Sequence, residues 1–145
     1  MCIGADETLS IVNFLFCGIL VAGQRDSESI LRSSGGYEMY KNIEKQTSLR
    51  LKDLVNYQDG QVVSKTLVQN ASVSMTIFSF DKGEEISTHA SGGDAMVTVL
   101  EGKGRFTVGG EVFVLEEGET LVMPKDVPHA VYGEERFKMQ LVVSF

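Results

Sequence analysis

The sequence has few residues of the types that build disulfide frameworks, histidine-rich metal sites or membrane spans. Its 145 residues include two cysteines, two histidines, two prolines and no tryptophan. The two cysteines, Cys2 and Cys17, are too few for a disulfide framework. The most apolar run, Leu9 to Ala22, is shorter than the about 20 residues that a membrane-spanning helix needs. Asp6 and Glu7 stand where a secretory signal carries positive charge, so we expect a cytoplasmic protein.

Positive charge is also in short supply. Thirteen lysine and arginine side chains face twenty acidic ones, which gives a formal net charge of −7. A surface this acidic repels the phosphate backbone of nucleic acids and the headgroups of anionic lipids. We therefore predict neither a nucleic-acid partner nor a membrane partner.

Length and composition are those of one globular domain. Hydrophobic residues make up 43% of the chain and charged residues 23%, which is ordinary for a folded protein. A chain of 145 residues has room for about one domain. This length leaves no room for a two-domain enzyme.

The first 38 residues differ from the rest, since they contain no lysine and show no clear pattern. We predict an irregular N-terminal extension here. The segment from Ser34 to Met39 can be encoded by a bacterial ribosome-binding site, a short spacer and a start codon. This layout suggests the hypothesis that residues 1–38 are an over-extended reading frame. The natural protein would then start at Met39 and have 145 − 38 = 107 residues.

From Met39 onward the pattern predicts short strands separated by turns. Ser48 is a candidate N-cap for a short helix in which Leu51, Leu54 and Val55 share one face. Beyond it, apolar and polar residues alternate with period two, as in half-buried strands. Gly109-Gly110 stands between two such segments and suits a type I′ hairpin. Turn signals every eight to twelve residues or so indicate an all-β sandwich or barrel.

Two glycine- and histidine-containing segments resemble the paired motifs of the cupin superfamily. The first family motif is G-x5-H-x-H-x3,4-E-x6-G and the second is G-x5-P-x-G-x2-H-x3-N. The matching positions in this chain are Gly83, His89, Ser91, Ala95 and Gly102, followed by Gly118, Pro124, Asp126, His129 and Gly133. The resemblance covers roughly residues 57–145. It implies a small single-domain bacterial cupin, a jelly-roll β-barrel over residues 39–145 with its core at about 57–145.

The resemblance also implies a degenerate metal site. Cupins that bind metal usually use both histidines and the glutamate of the first motif, together with the histidine of the second. This chain keeps His89 and His129 but carries Ser91 and Ala95 at the other two positions. Because catalytic metal sites normally need at least three protein ligands, we expect no resident cofactor. The alternative is Zn, Fe, Mn or Ni held by the two histidines and a carboxylate from elsewhere.

Two acidic residues near the first motif are weak candidates for that carboxylate. Asp94 lies on the opposite face of a strand from Ala95 and is expected to be a turn residue after two glycines. Glu101 precedes a turn glycine and is expected to be solvated.

Without a complete metal site, the function that we predict is binding of a small molecule in the barrel. The candidate ligand-binding residues are His89, His129, Ser91, Met96 and Met123, with the two histidines as polar anchors in an apolar pocket. We expect an acidic or carbonyl-bearing ligand between the two rings. The methionines have an alternative role as core filling. The competing function is a metal-dependent cupin enzyme of the dioxygenase, isomerase or decarboxylase type.

The resemblance implies a homodimer as well. Small cupins associate through strands at the N-terminal side of the barrel, and Gln61 to Val68 is an apolar segment in that position. An exposed strand edge of this kind is normally paired or covered. We therefore predict that two copies of the chain associate there.

Overall fold

The computed structural model describes residues 39–145, and these form two antiparallel β-sheets. The five-stranded sheet has the order β1-β2-β9-β4-β7 and the four-stranded sheet the order β3-β8-β5-β6. Many neighbouring strands are therefore far apart in the chain, as in a jelly roll. The strands are β1 (Val62–Gln69), β2 (Val73–Phe80), β3 (Glu85–His89), β4 (Asp94–Glu101), β5 (Lys103–Val108), β6 (Glu111–Glu116), β7 (Thr120–Met123), β8 (His129–Tyr132) and β9 (Phe137–Ser144). The predicted all-β jelly-roll architecture is confirmed, while the expectations for residues 1–38 lie outside the described residues.

The main core fills the space between the two sheets. Phe80 and Phe137 of the five-stranded sheet stack with ring centroids 4.6 Å apart. Phe106 of the four-stranded sheet meets Phe137 edge-on at 6.1 Å. All three side chains are fully buried, so truncating any one of them is expected to cost about 3–5 kcal/mol. These aromatic contacts hold the two sheets together.

The Gly109-Gly110 hairpin lies where the sequence predicts it, between β5 and β6. Both glycines have positive φ angles, 57° and 91°, the left-handed conformation that a type I′ turn requires at its two central positions. The turn brings Val108 opposite Glu111 and starts the β5–β6 ladder.

The short helix before β1 differs from its prediction in one respect. Leu51–Leu54 form a single 3₁₀ turn, and Arg50, not Ser48, occupies the N-cap position without a side-chain cap. The predicted Ser48 cap is therefore wrong. Burial replaces it: Leu51, Leu54 and Val55 pack with Leu67 and Ile77 on the outer side of the five-stranded sheet. No helix in residues 39–145 is long and apolar enough to cross a membrane.

A set of polar side chains fastens this N-terminal segment to the sheet, and we call it the lysine–tyrosine cluster: Lys138, Tyr57, Glu101 and Lys52. Lys138, only 7% exposed, donates to the Lys52 carbonyl at 2.7 Å, and its Nζ lies 4.8 Å from the centroid of the Tyr57 ring. The Tyr57 hydroxyl donates to Glu101 at 3.0 Å. Lys52 forms an ion pair with Glu101 at 3.0 Å. The polar groups of this cluster thus satisfy one another.

Glu101 therefore differs from the solvated residue that the sequence predicts. Its side chain is about two-thirds covered. The bond from Lys52 lowers the pKa of Glu101, and the Tyr57 hydroxyl adds to that effect. Burial, followed by the bond to Glu101, raises the pKa of Tyr57.

Strand β1 is an edge strand of the five-stranded sheet. Part of its free edge is covered, because the Lys41 amide donates to the Leu67 carbonyl at 2.8 Å and the Asn42 side chain donates to the Thr66 carbonyl at 2.9 Å. These bonds lie near the register shift between Thr66 and Val68. The predicted homodimer through this strand stays a prediction.

Candidate functional site

His129 is the first residue of β8, and its ring points into the barrel. Val131, two residues later, belongs to the main core, and the period-two geometry of a strand puts both side chains on one face. Val108 of β5 is the register partner of His129. The His129 side chain is only 3% exposed. A histidine this buried needs hydrogen-bonding partners.

His89 reaches the same face through an irregularity in β3. Ile86 packs against the main core, so strict alternation would turn His89 outward, three residues later. The register of β3 against β8 shifts between these residues, because Ile86 pairs with Val131 while His89 pairs with His129. The extra residue on β3 acts as a β-bulge, which reverses the alternation. The bulge thus turns His89 towards His129.

The two rings are in contact. Their centroids lie 4.4 Å apart and their planes make an angle of 65°. His129 is buried and His89 is partly exposed, so the pair runs from the barrel interior towards solvent. This geometry brings the two motifs of the sequence into one site.

Each ring hydrogen-bonds to a backbone carbonyl two residues earlier in the chain. His89 Nδ1 lies 2.9 Å from the Ser87 carbonyl oxygen, and His129 Nδ1 lies 2.9 Å from that of Val127. A carbonyl oxygen only accepts, so both bonds require the proton on Nδ1. A neutral ring then carries a lone pair on Nε2, which has no hydrogen-bond partner among residues 39–145.

The surroundings favour the neutral form of the buried ring. Burial lowers the pKa of His129, and the neighbouring His89 lowers it further, while the bond to the Val127 carbonyl opposes both effects. Desolvation disfavours the charged form of an imidazole because a low-dielectric interior solvates ions poorly. His129 is thus set up to accept a hydrogen bond through Nε2 near neutral pH.

Ser91 and Asp94 connect the segment after His89 to the loop before His129. The Ser91 hydroxyl accepts a bond from the Gly93 amide at 3.3 Å, and the Ser91 carbonyl accepts one from the Asp126 amide at 3.0 Å. Asp94 Oδ1 accepts a bond from the Lys125 amide at 2.8 Å. These contacts fix the two motif loops against each other. Ligand binding by Ser91 stays a prediction.

The prediction that Met96 lines the barrel pocket is corrected by the structure. It is 42% exposed, whereas its neighbours Ala95 and Val97 are at most 1% exposed. The alternation of β4 therefore points Met96 away from the barrel interior, as it does Asp94. Met123 pairs with Ala95 across the strands and is packed into the main core, so the structure shows it as core filling. A contact between Met123 and a ligand stays a prediction.

The residues present do not fit a resident catalytic metal. The two Nε2 atoms are suitable donors, but Ala95 offers none and the Ser91 hydroxyl is used in its own turn. Residues 39–145 contain no group of three or more His, Cys, Asp or Glu side chains that could hold an ion. Two imidazoles fall short of the three protein ligands that a catalytic site normally provides.

Sequence reasoning missed the carbonyls of Ser87 and Val127 and the apolar partner Val108. Each histidine bonds to the carbonyl two residues before it. This bond depends on the bulge in β3 and on the loop before β8, which the sequence does not specify. Backbone atoms carry no residue-type signal, so no motif could have identified them.

Comparisons with known proteins agree with this architecture. A family model of the cupin domain matches residues 76–145. A conserved protein of unknown function from Streptococcus pyogenes is 44% identical, with a TM-score of 0.73, over 76% of this chain and 96% of the other. A cupin superfamily protein from Desulfitobacterium hafniense is 30% identical, with a TM-score of 0.70, over 73% of this chain and 97% of the other.

A more distant solved structure shares the fold alone. The salicylate 1,2-dioxygenase of Pseudoaminobacter salicylatoxidans is 22% identical, with a TM-score of 0.55, over 65% of this chain and 28% of the other. No curated protein matches the chain. The two antiparallel sheets, the paired motifs and the two nearer relatives lead to one conclusion: this chain belongs to the cupin superfamily.

Proposed function

We propose that this cupin binds a small organic molecule in the barrel, against the contacting rings of His89 and His129, without a resident metal. The observation that carries the proposal is the in-register ring pair, with centroids 4.4 Å apart and with each Nδ1 bonded to a carbonyl. Both rings are oriented by the protein, while both Nε2 atoms remain available.

The unpaired nitrogens distinguish this pair from a purely structural one. Buried polar groups in folded proteins normally find partners within the protein or in ordered water, and no buried side-chain nitrogen or oxygen of residues 39–145 lacks one. The His129 side chain as a whole is nearly fully buried, but its Nε2, which has no partner among these residues, is therefore open to a molecule from outside. A ligand that bonds to Nε2 would complete the set, and Val108 and Ile86 would contact its apolar part.

The alternative is a metal-dependent cupin enzyme of the dioxygenase, isomerase or decarboxylase type. One observation favours it: histidines that ligate metals commonly donate their second ring N–H to a carbonyl or carboxylate, as both histidines do here. The two-donor set weighs against it. Near-stoichiometric Fe, Mn, Ni or Zn in dialysed protein would favour the metal-dependent enzyme over the metal-free binding protein.

Nitrogen NMR of the two imidazoles during titration with small fragments tests the binding function. Phenol, benzamide and benzoate serve as probes. We expect at least one of them to shift the Nε2 signals of both rings. His129→Phe keeps a ring of similar size but removes both nitrogens. Losing a buried polar partner costs about 1–3 kcal/mol, so affinity should fall roughly 5- to 100-fold.

His89→Phe is the second variant. Val112→Ala is the control, because Val112 is 60% exposed and lies on β6, at the far edge of the four-stranded sheet from β3. Thermal melts of all variants show whether a change in affinity follows a change in folding. Unchanged affinity in both histidine variants would remove the pair from the site.

A further inference from the structure

The hydrogen bonds of the two rings also restrict the class of ligand. We propose, resting on the binding function above, that the pair selects an uncharged ligand with two adjacent hydrogen-bond donors, such as a vicinal diol, over a carboxylate. The proposal replaces the acidic or carbonyl-bearing ligand that the sequence suggests. That expectation treats the rings as donors.

Both ring donors are already used. The carbonyls of Ser87 and Val127 accept from Nδ1 of His89 and His129, each at 2.9 Å. Moving a proton from Nδ1 to Nε2 would leave a nitrogen lone pair facing a carbonyl oxygen. At the part-buried His129–Val127 contact the carbonyl would lose its donor, which is costly. At the partly exposed His89 the Ser87 carbonyl favours the same position of the proton. Each neutral ring therefore presents an acceptor, and not a donor, to the ligand.

Two acceptors on neighbouring rings suit two donors on neighbouring atoms. The rings are held in register on adjacent strands with their centroids 4.4 Å apart. The two hydroxyls of a vicinal diol can each donate to one Nε2. A carboxylate only accepts, so its oxygens would face two lone pairs.

The charges around the pair do not compensate a carboxylate. The neighbours on the same face, Val108, Ile86 and Val131, are apolar. Among residues 39–145, the one buried lysine or arginine side chain is Lys138, which is bonded to the Lys52 carbonyl. Burying an unpaired charge is costly, and the same cost disfavours an ammonium ligand. The favoured ligand is therefore neutral.

Three probes with one carbon ring separate these possibilities: cis-1,2-cyclohexanediol, its dimethyl ether and cyclohexanecarboxylate. Affinities are measured by calorimetry on the full chain, in mildly alkaline buffer with a chelator that removes adventitious metal. We expect the diol to bind about 10-fold more tightly than either of the other two, because two net hydrogen bonds of about 0.5–1.5 kcal/mol separate them.

Nitrogen NMR of the unliganded protein tests the premise. Both rings should carry the proton on Nδ1, and diol binding should shift both Nε2 signals. In His129→Phe the preference for the diol over its ether should fall from about 10-fold to about 3-fold, because His89 Nε2 is then the one acceptor left. Protons on Nε2 in the free protein would overturn the proposal.

The outcomes separate the two proposals. If the carboxylate binds at the rings as tightly as the diol, the ligand class is wrong while the binding function stands. If none of the three probes, nor any fragment of the earlier set, shifts the ring signals, both proposals fail. If the diol binds equally well to His129→Phe and to the unaltered protein, it binds elsewhere, and the ligand class is again wrong.

Discussion

One polar cluster lies on the outer side of the five-stranded sheet, and the other, the histidine pair, lies on the inner face of the four-stranded sheet. The two clusters differ in how far their polar atoms are paired. In the lysine–tyrosine cluster the Lys138 ammonium, the Tyr57 hydroxyl and the Glu101 carboxylate bond to one another or to the Lys52 segment. In the histidine pair, one nitrogen of each ring is bonded, and Nε2 has no partner among the described residues.

The difference separates a structural role from a binding role. The lysine–tyrosine cluster holds the segment before β1 on the outer side of the five-stranded sheet, where it covers Leu67 and Ile77. Within residues 39–145, the histidine pair holds no other segment in place through its Nε2 atoms. Pairing of polar atoms, and not their burial alone, therefore distinguishes the two clusters.

The largest effect is expected from completing the donor set of the histidine pair. Ser91→His combined with Ala95→Glu rebuilds the four ligands of the family motif, because Ala95 faces the interior and adjoins Met123. We expect divalent metal affinity to rise by on the order of 100-fold or more, since each added ligand replaces a weaker water. Calorimetric titration with Zn, Mn or Ni measures the change.

Ala95→Gln with Ser91→His is the matched control, since it adds the same volume to the core without the carboxylate. Overpacking at this fully buried position is expected to cost about 1–3 kcal/mol of unfolding free energy in both variants. Tight metal uptake by the unaltered protein would show that a ligand has been missed.

Removing the lysine of the structural cluster should change stability and leave binding intact. Lys138→Ala leaves the Lys52 carbonyl without its donor and removes the contact with the Tyr57 ring. We expect the free energy of unfolding to fall by about 2–4 kcal/mol. Lys138→Met keeps the apolar stem of the side chain, so its free energy of unfolding should fall by about half as much. Chemical denaturation measures both.

The two clusters would not differ in role if the Lys138 variants lost ligand affinity as the histidine variants do. Diol or fragment affinity per folded molecule should be unchanged in Lys138→Ala. His129→Phe leaves the Val127 carbonyl without its donor, but it keeps a ring in place and should lose less thermal stability than Lys138→Ala. Lys138→Met as stable as the parent would mean that the polar contacts of the cluster contribute nothing.

The third prediction concerns the edge strand β1, where we propose a homodimer. Sedimentation at micromolar concentration should give twice the monomer mass. Val63→Lys places a second positive charge beside Lys65 in each copy, and the resulting repulsion should weaken association roughly 10-fold. Val112→Lys, on the edge strand of the other sheet, is the control. A monomeric parent protein would exclude the dimer.

Much of the fold could be predicted because it depends on local patterns. Alternation in β2 and β9 and the positive-φ turn at Gly109-Gly110 follow from a few consecutive residues. The same alternation, applied to β4, places Met96 on the outer face, opposite Ala95 and Val97. Glu101 was expected to be solvated because its partners Lys52 and Tyr57 are 49 and 44 residues away in the chain.

The sequence alone determined that His89 and His129 belong to two motifs of one barrel, since glycine, proline and histidine spacings are properties of the chain itself. Only the tertiary structure decided that the rings face each other and which nitrogen each ring leaves available. His89 turns inward because β3 pairs with β8, some 40 residues later, with one residue in excess. Alternation is a property of each strand's own backbone, whereas register and carbonyl partners depend on which distant strand forms the hydrogen bonds.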